Sequence, residues 1–343
     1  MDCEWIFGDQ NSDIKCFDIG ILQKASVTKT HKIFGSFYWQ KGVVSLAKKK
    51  EISSYLLLGE PFNVSIWVLC ILIRVFHPKR KIYFWTHGWY GRESRVKKII
   101  KKAFFRFADK IFLYGNYAKK LMIKEGFKPD KLVVIHNSLD YEKQLELRNE
   151  CKETDIYKNH FENNNSNLIF IGRLTKIKKI NQIIQALEIL KKEGLYFNLT
   201  LIGGGKEENN LKNLVKDLNL ENQVWFYGPC YDEKTNAELI YNADLCVSPG
   251  NVGLTAIHSM MFGTPVISHN DFPWQMPEFE AIMPGGTGDF FNQNDVGSLS
   301  ETIKNWFSKY KNERDKIRQN CFQEIDSSWN PDFQMNIFKT HLI

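Results

Sequence analysis

"SPGNVGLTAIHSMMFGTPVISH", Ser248 to His269, is the stretch on which the reading of the fold turns. It opens on a turn, Pro249-Gly250-Asn251, and continues as a short helix. It closes on Gly263-Thr264-Pro265 ahead of a strand-like Val266-Ile267-Ser268. Turn, helix and strand in such quick succession are what a parallel α/β sheet repeats. A helix starting near Gly253 would leave the N–H groups of Val252, Gly253 and Leu254 unpaired, and such a terminus attracts an anion. Gly250 and Gly253 remove side chains that would block the approach. The same helix carries His258 in mid-course and no carboxylate.

The pattern extends in both directions. Strand-like runs occur at Tyr55–Leu58, Lys81–Trp85, Ile111–Tyr114 and Lys131–Ile135. They resume at Leu168–Ile171, Phe197–Ile202, Gln223–Tyr227, Asp244–Val247 and Pro265–Ser268. Helical spacing lies between them, as in Ile180, Ile183, Ile184, Leu187 and Leu190. Strands alternating with helices predict an α/β fold of two domains with parallel sheets and helices on both faces. The polar run "NHFENNNSN", Asn159–Asn167, reads as the break between them. The expected domains are 1–150 and 151–331. The last helix, 332–343, is expected to cross back to the first domain, with Trp329-Asn330-Pro331 marking the bend. Trp5-Ile6-Phe7-Gly8-Asp9 is brief and no Gly-rich turn follows it, so the first βα unit is expected to be missing or reduced.

Composition narrows the classes. The chain has 343 residues, 43% hydrophobic and 25% charged, ordinary for a globular protein. The seven cysteines, Cys3, Cys16, Cys70, Cys151, Cys230, Cys246 and Cys321, include no CxxC pair. That argues for a reduced, cytoplasmic chain without a zinc site. The acidic start Met1-Asp2-Cys3-Glu4 does not read as a signal peptide. The apolar run Phe62 to Phe76 contains Arg74 and is short for a membrane span, so it reads as a buried helix. Residues 1–150 hold 27 Lys and Arg against 15 Asp and Glu, and the remainder holds 19 against 24. The two halves therefore suit different partners.

Several stretches carry chemistry. "FIGRLTKIKKI", Phe170–Ile180, places Arg173 just past a strand, with Lys178 following. Cations at the carboxyl ends of parallel strands face the crevice where such sheets bind ligands, and both can clamp phosphate. "LTLIGGGKEENN" is strand, triple glycine, helix; Gly203–Gly205 either admit a ligand's backbone approach or make a sharp turn. "YFWTHGWYGRES" sets His87 at a strand end among Trp85, Trp89 and Tyr90, where a proton can be exchanged near neutral pH. "SRVKKIIKKAFFRFADK" aligns Val96, Ile99, Ile100, Ala103, Phe104 and Phe107 on one helical stripe. Arg95, Lys97, Lys98, Lys101, Lys102 and Arg106 surround it. Residues 95–107 thus read either as a core-facing helix with a solvated back or as a helix on an anionic membrane surface. No nucleic-acid-reading motif accompanies the cations.

These pieces, in order, resemble the nucleotide-sugar-binding domain of the retaining GT-B glycosyltransferases of family 4. They are "IGRLTKIKK", "LTLIGGG", "VWFYG", "NADLCVSPG", "GLTAIHSMMFGTPVIS", "MPEFEAI" and "GTGDFF". "KLVVIHNSLD" matches less closely. The resemblance implies a GT-B fold, two Rossmann-like domains facing a central cleft. It implies transfer of a sugar, with retention, from a nucleoside-diphosphate donor to a glycan or lipid-linked glycan acceptor. Neither a cofactor nor a metal ion is implied. Arg173 and Lys178 resemble the pair that binds the donor's diphosphate. Gly172, Gly204 and the turn Asn251, Val252, Gly253 and Leu254 would also hold the donor, and Gly228 begins the loop that packs on the base. His87 falls near a catalytic or acceptor-contacting position. The family usually carries two glutamates where this chain has Gly250 and His258. His258 is then expected to bind a hydroxyl, and Glu278 or Glu280 to supply the lost carboxylate. That departure keeps a non-catalytic partner subunit as an alternative. A nucleotide-sugar epimerase would need a denser set of carboxylates and histidines. The chain is expected on the cytoplasmic side, peripheral to the membrane.

Overall fold

A computed structural model of the chain describes residues 3–9 and 19–342. Met1-Asp2, Cys16 and Ile343 lie outside the described residues. Two compact units emerge. The first comprises residues 1–113, 119–134 and 339–343; the second comprises 114–118 and 135–338.

The first unit begins with β1 (Trp5–Gly8) and β2 (Ala25–Thr28), a parallel pair. A hairpin of β3 (Thr30–Phe34) and β4 (Phe37–Gln40) follows. These two small sheets are not paired with the main one among the described residues. The main sheet joins β5 (Ser54–Leu58), β6 (Lys81–Thr86), β7 (Lys110–Leu113) and β8 (Leu132–Val134), parallel and in sequence order. Its connecting helices include α1 (Val64–Phe76), α2 (Arg95–Phe105) and α3 (Asn116–Lys124). Phe84 stacks on Phe104 at 4.5 Å between ring centroids, and Phe105, Trp89 and Phe127 extend this aromatic core.

Two readings change here. The apolar helix α1 is buried on one face only, through Ile66, Leu69, Cys70 and Ile73, while Ile71, Val75 and Phe76 are exposed. Thirteen apolar-rich residues wind the full circle, and a sheet covers only one side of a helix. The stripe on α2 also splits. Phe104 and Phe105 enter the core, but Val96 is 66% exposed and Ile99 68%. Among the described residues no helix is long and apolar enough to cross a membrane.

The second unit opens with α4 (Tyr141–Glu150) and α5 (Ile156–Phe161). It continues as β9 (Ser166–Ile171), α6 (Asn181–Lys192), β10 (Phe197–Ile202), α7 (Glu208–Asp217), β11 (Val224–Gly228) and α8 (Glu233–Asn242). Then come β12 (Leu245–Ser248), α9 (Thr255–Met261), β13 (Val266–His269), β14 (Gly288–Phe291), α10 (Val296–Tyr310), α11 (Arg314–Ser328) and α12 (Pro331–His341). The six strands are all parallel, in the order β11-β10-β9-β12-β13-β14. Every residue of β10 and β12 is buried, as expected for strands covered on both faces. The order reverses between β9 and β12, and ligands bind outside the carboxyl ends of the strands at such a point.

The chain divides after Val134 rather than at 150 or at the asparagine run. Residues 135–150 belong to the second unit because α4 is tied into it. Gln144 Nε2 donates to Glu233 Oε1 at 2.7 Å, and Arg148 clasps Asp326 at 2.9 and 3.0 Å. The asparagines are structural. Buried Asn198 in β10 donates to Asn163 Oδ1 and Asn167 Oδ1, at 3.0 and 2.9 Å. A polar strand residue needs such partners, and sequence composition cannot distinguish them from a linker.

Candidate functional site

The reversal of strand order places the loop after β9 beside the loop after β12. Arg173 and Lys178 lie on the first, and Pro249–Leu254 on the second. Lys178 Nζ donates to Asn251 O at 2.6 Å, and Gly250 N donates to Lys178 O at 3.1 Å. The two motifs that the sequence keeps far apart thus form one bonded structure. Burial, reinforced by Arg173, pushes the Lys178 ammonium down to about 8, while Glu278 opposes the shift. Arg173 is exposed, and no carboxylate or carbonyl accepts from its guanidinium among the described residues.

Gly250 is required sterically. A Cβ there would overlap the Ile177 carbonyl oxygen and lie 2.6 Å from Lys178 Cα. A glutamate at this position has no room. The triple glycine is likewise a packing device. A Cβ on Gly203 would strike the Gly172 carbonyl, and Leu174 N bonds Gly204 O at 3.0 Å. Gly228 closes the set, its carbonyl accepting from Gly203 N at 2.9 Å.

The amide turn differs from expectation. Val252 N is already bonded to Gln275 Oε1 at 2.9 Å, and that residue is buried. Gln275 reaches in from the segment after β13, and no motif or periodicity marks it in the sequence. The N–H groups of Gly253 and Leu254 have no protein acceptor among the described residues. The helix behind them, α9, is only seven residues long, so the loop amides carry more weight than a helix dipole.

The two downstream glutamates separate. Glu280 accepts from the backbone of Asn116 and Tyr117 at 2.7 and 2.6 Å, capping the start of α3. Glu278 is 2% exposed and accepts from Asn137 Nδ2 at 2.7 Å through Oε1. Among the described residues its buried Oε2 has no hydrogen-bond partner, nor do buried Asn251 Oδ1 and Ser248 Oγ. Burial raises the Glu278 carboxyl above its usual range, against the pull of Asn137 and Lys178. Buried polar atoms without partners are costly and mark places where a ligand completes the bonding.

His258 is not free. Its Nε2 lies 2.8 Å from Glu233 Oε1. Glu233 opens α8, just after a loop that carries Tyr231, 85% exposed. A cavity of about 470 Å³ between α6 and α7 is lined by Thr175, Asn181, Gln185 and Glu207 among others. Neither Arg173 nor the 249–254 turn borders it.

His87 belongs to the first unit, close to Tyr90. Burial, then Lys101, lowers its imidazole below the usual value, so it is neutral near pH 7. Lys101 itself is engaged by Gly88 O and Glu93 Oε1 at 2.6 and 2.7 Å. On α2, Lys98 and Lys102 both reach Glu125 at 2.6 Å. Arg95, Lys97 and Arg106 make no ion pair among the described residues.

The family described as Glycosyl transferases group 1 matches residues 152–323, half of the chain. This protein belongs to that family. The matched span contains Arg173, Lys178, the glycine turn, Glu233 and His258. A Klebsiella pneumoniae relative, an uncharacterized 41.2 kDa protein in the cps region, is 25% identical over 234 residues, 67% of this chain and 60% of the relative. The Escherichia coli (strain K12) putative colanic acid biosynthesis glycosyltransferase WcaL is 26% identical over 182 residues, 47% of this chain and 44% of WcaL. The chain therefore spans less than two thirds of either relative's length. Among solved structures, Anabaena HepE in complex with UDP is similar at a TM-score of 0.69. Identity is 18%, covering 92% of this chain and 85% of that one. That likeness supports the GT-B fold expected from the sequence.

Proposed function

We propose that this glycosyltransferase moves a sugar from a nucleoside-diphosphate donor to a glycan or lipid-linked glycan, with retention and without a metal ion. The observation that carries the proposal is the Lys178–Asn251 bond, which joins the cationic loop after β9 to the turn after β12. Arg173, Lys178 and the amides of Gly253 and Leu254 meet the charge that builds on the departing diphosphate. UDP in HepE and the polysaccharide context of the relatives support a UDP-sugar donor and a glycan acceptor.

In the step proposed, the bond from the anomeric carbon to the phosphate oxygen breaks. The acceptor oxygen then bonds to the same face of that carbon, and its proton passes to a phosphate oxygen. His87 of the first unit, neutral at working pH, is suited to accept a hydrogen bond from a hydroxyl. Asn251 Oδ1 and Glu278 Oε2 are acceptors in want of donors, which sugar hydroxyls supply. Calorimetry with UDP and UDP-glucose tests the donor assignment. Arg173→Ala and Lys178→Ala should each lower turnover about 10²-fold or more. Unchanged turnover in both would remove it.

The glutamates absent at Gly250 and His258 favour a second reading, a non-catalytic partner subunit. Failure to bind any nucleoside diphosphate would support that reading. For location, we propose that the first unit rests on an anionic cytoplasmic membrane surface through α2. Exposed Val96 and Ile99, beside Arg95, Lys97 and Arg106, which make no ion pair among the described residues, support this.

A further inference from the structure

The position where the resemblance places a second glutamate holds His258, and a carboxylate stands directly against it. His258 Nε2 and Gln144 Nε2 converge on one oxygen of Glu233, Oε1, at 2.8 and 2.7 Å. Neither uses Oε2. Burial would raise the Glu233 carboxyl, but the bonds from His258 and Gln144 outweigh it and hold the group below its usual range. Glu233 is therefore an anion at neutral pH.

The pair also stands at the ligand end of the sheet. Glu233 is the first residue of α8, after the loop that leaves the carboxyl end of β11. His258 lies one turn beyond Leu254 in α9, its N–H bonded to Leu254 O at 2.9 Å. Neither is sealed, with side-chain exposures of 22% for Glu233 and 15% for His258. A glutamate at 258 would set two carboxylates against each other, which is unfavourable, so the two positions are coupled.

We infer that Glu233, held by His258 and Gln144, is the carboxylate with which this chain reads the ribose hydroxyls of its nucleotide. The negative charge has moved from α9 to α8, and His258 positions it without gripping the sugar itself. The inference rests on the nucleoside-diphosphate reading above. An ionised acceptor suits a vicinal diol, and hydrogen bonds to charged groups are the stronger kind.

The test is calorimetry on the full chain with UDP and with 2′,3′-dideoxy-UDP. The unsubstituted protein should prefer UDP by about 10- to 100-fold. Glu233→Gln should bind dideoxy-UDP normally and lose that preference. The exchanged pair, Glu233→His with His258→Glu, should recover it, whereas His258→Glu alone should not. Arg173→Ala should weaken both ligands equally. A mere tie between helices would lower the melting temperature yet leave the UDP preference intact. A folded Glu233→Gln with the original preference overturns the inference, as does an unsubstituted protein that binds both ligands alike. If Glu233→Gln does not fold, the exchanged pair decides. Absence of binding to UDP, GDP and ADP brings down the donor reading and this inference with it.

Discussion

Restoring the residue that the resemblance expects at position 250 should damage the protein. A Cβ at Gly250 would sit 2.6 Å from Lys178 Cα and against the Ile177 carbonyl, all backbone. Carbon atoms settle near 3.5 Å, so one loop must retreat by about 1 Å. That retreat stretches the Gly250 N to Lys178 O bond, now 3.1 Å, and the Lys178 Nζ to Asn251 O bond, now 2.6 Å. A neutral hydrogen bond contributes about 1 kcal/mol and one to a charged group about 1.5–3. Gly250→Ala should therefore cost roughly 2–4 kcal/mol, or about 5–15 °C in the melting temperature. A displacement of about 1 Å near the chemistry also costs on the order of 10²-fold in rate. Gly250→Glu should be worse and should not raise affinity for UDP-glucose. Thermal melts and calorimetry of both variants provide the assay. A Gly250→Glu protein with an unchanged melting temperature and tighter donor binding would refute the steric argument.

Other expectations follow from the same structure. Lys178 sits at about 8, below its unfolded value of about 10.4. Between those values the unfolded chain holds more protons, so this group makes the folded state gain stability as pH rises. A bound diphosphate acts the other way. UDP binding at pH 8 should take up about half a proton, read from calorimetry in buffers of different ionisation heat. Persistence of that uptake in Lys178→Met would exclude the lysine as its source. Glu280→Gln should lower stability by about 1–2 kcal/mol through the lost cap on Asn116 and Tyr117, measured by urea unfolding. Ile99→Asp should release the protein from phosphatidylglycerol vesicles in a flotation assay without altering UDP binding. Equal flotation would discard the α2 surface. Activity should survive EDTA; loss of activity restored by a divalent cation would refute the metal-independent mechanism.

The strands of both main sheets were legible because alternating β-rich runs and helical periods survive in one dimension. Strand ends missed by a residue or two, and β14 (Gly288–Phe291) was not foreseen. Its four residues, Gly-Asp-Phe-Phe, lack a β-branched run. Arg173, Lys178 and the glycine turn stand out in the sequence because residues just after the strands of a parallel sheet face its ligand crevice. The partners of those groups were not found. Gln275 filling the Val252 amide, Asn137 on Glu278 and Glu233 on His258 depend on contacts across 23 to 141 positions. Such distances leave no periodicity to read.

Local pattern alone determined that this chain folds as parallel α/β units and that a glycine-bearing turn between strand and helix stands near residue 250. Tertiary structure alone decided which polar groups remain available there. Val252 N–H and Glu280 are taken, His258 is held by a neighbouring helix, and Glu278 Oε2 is left bare. The reason is physical. Backbone propensity and hydrophobic period act over a few residues, whereas the bonding of a buried polar group is settled by whatever the folded chain brings within about 3 Å of it.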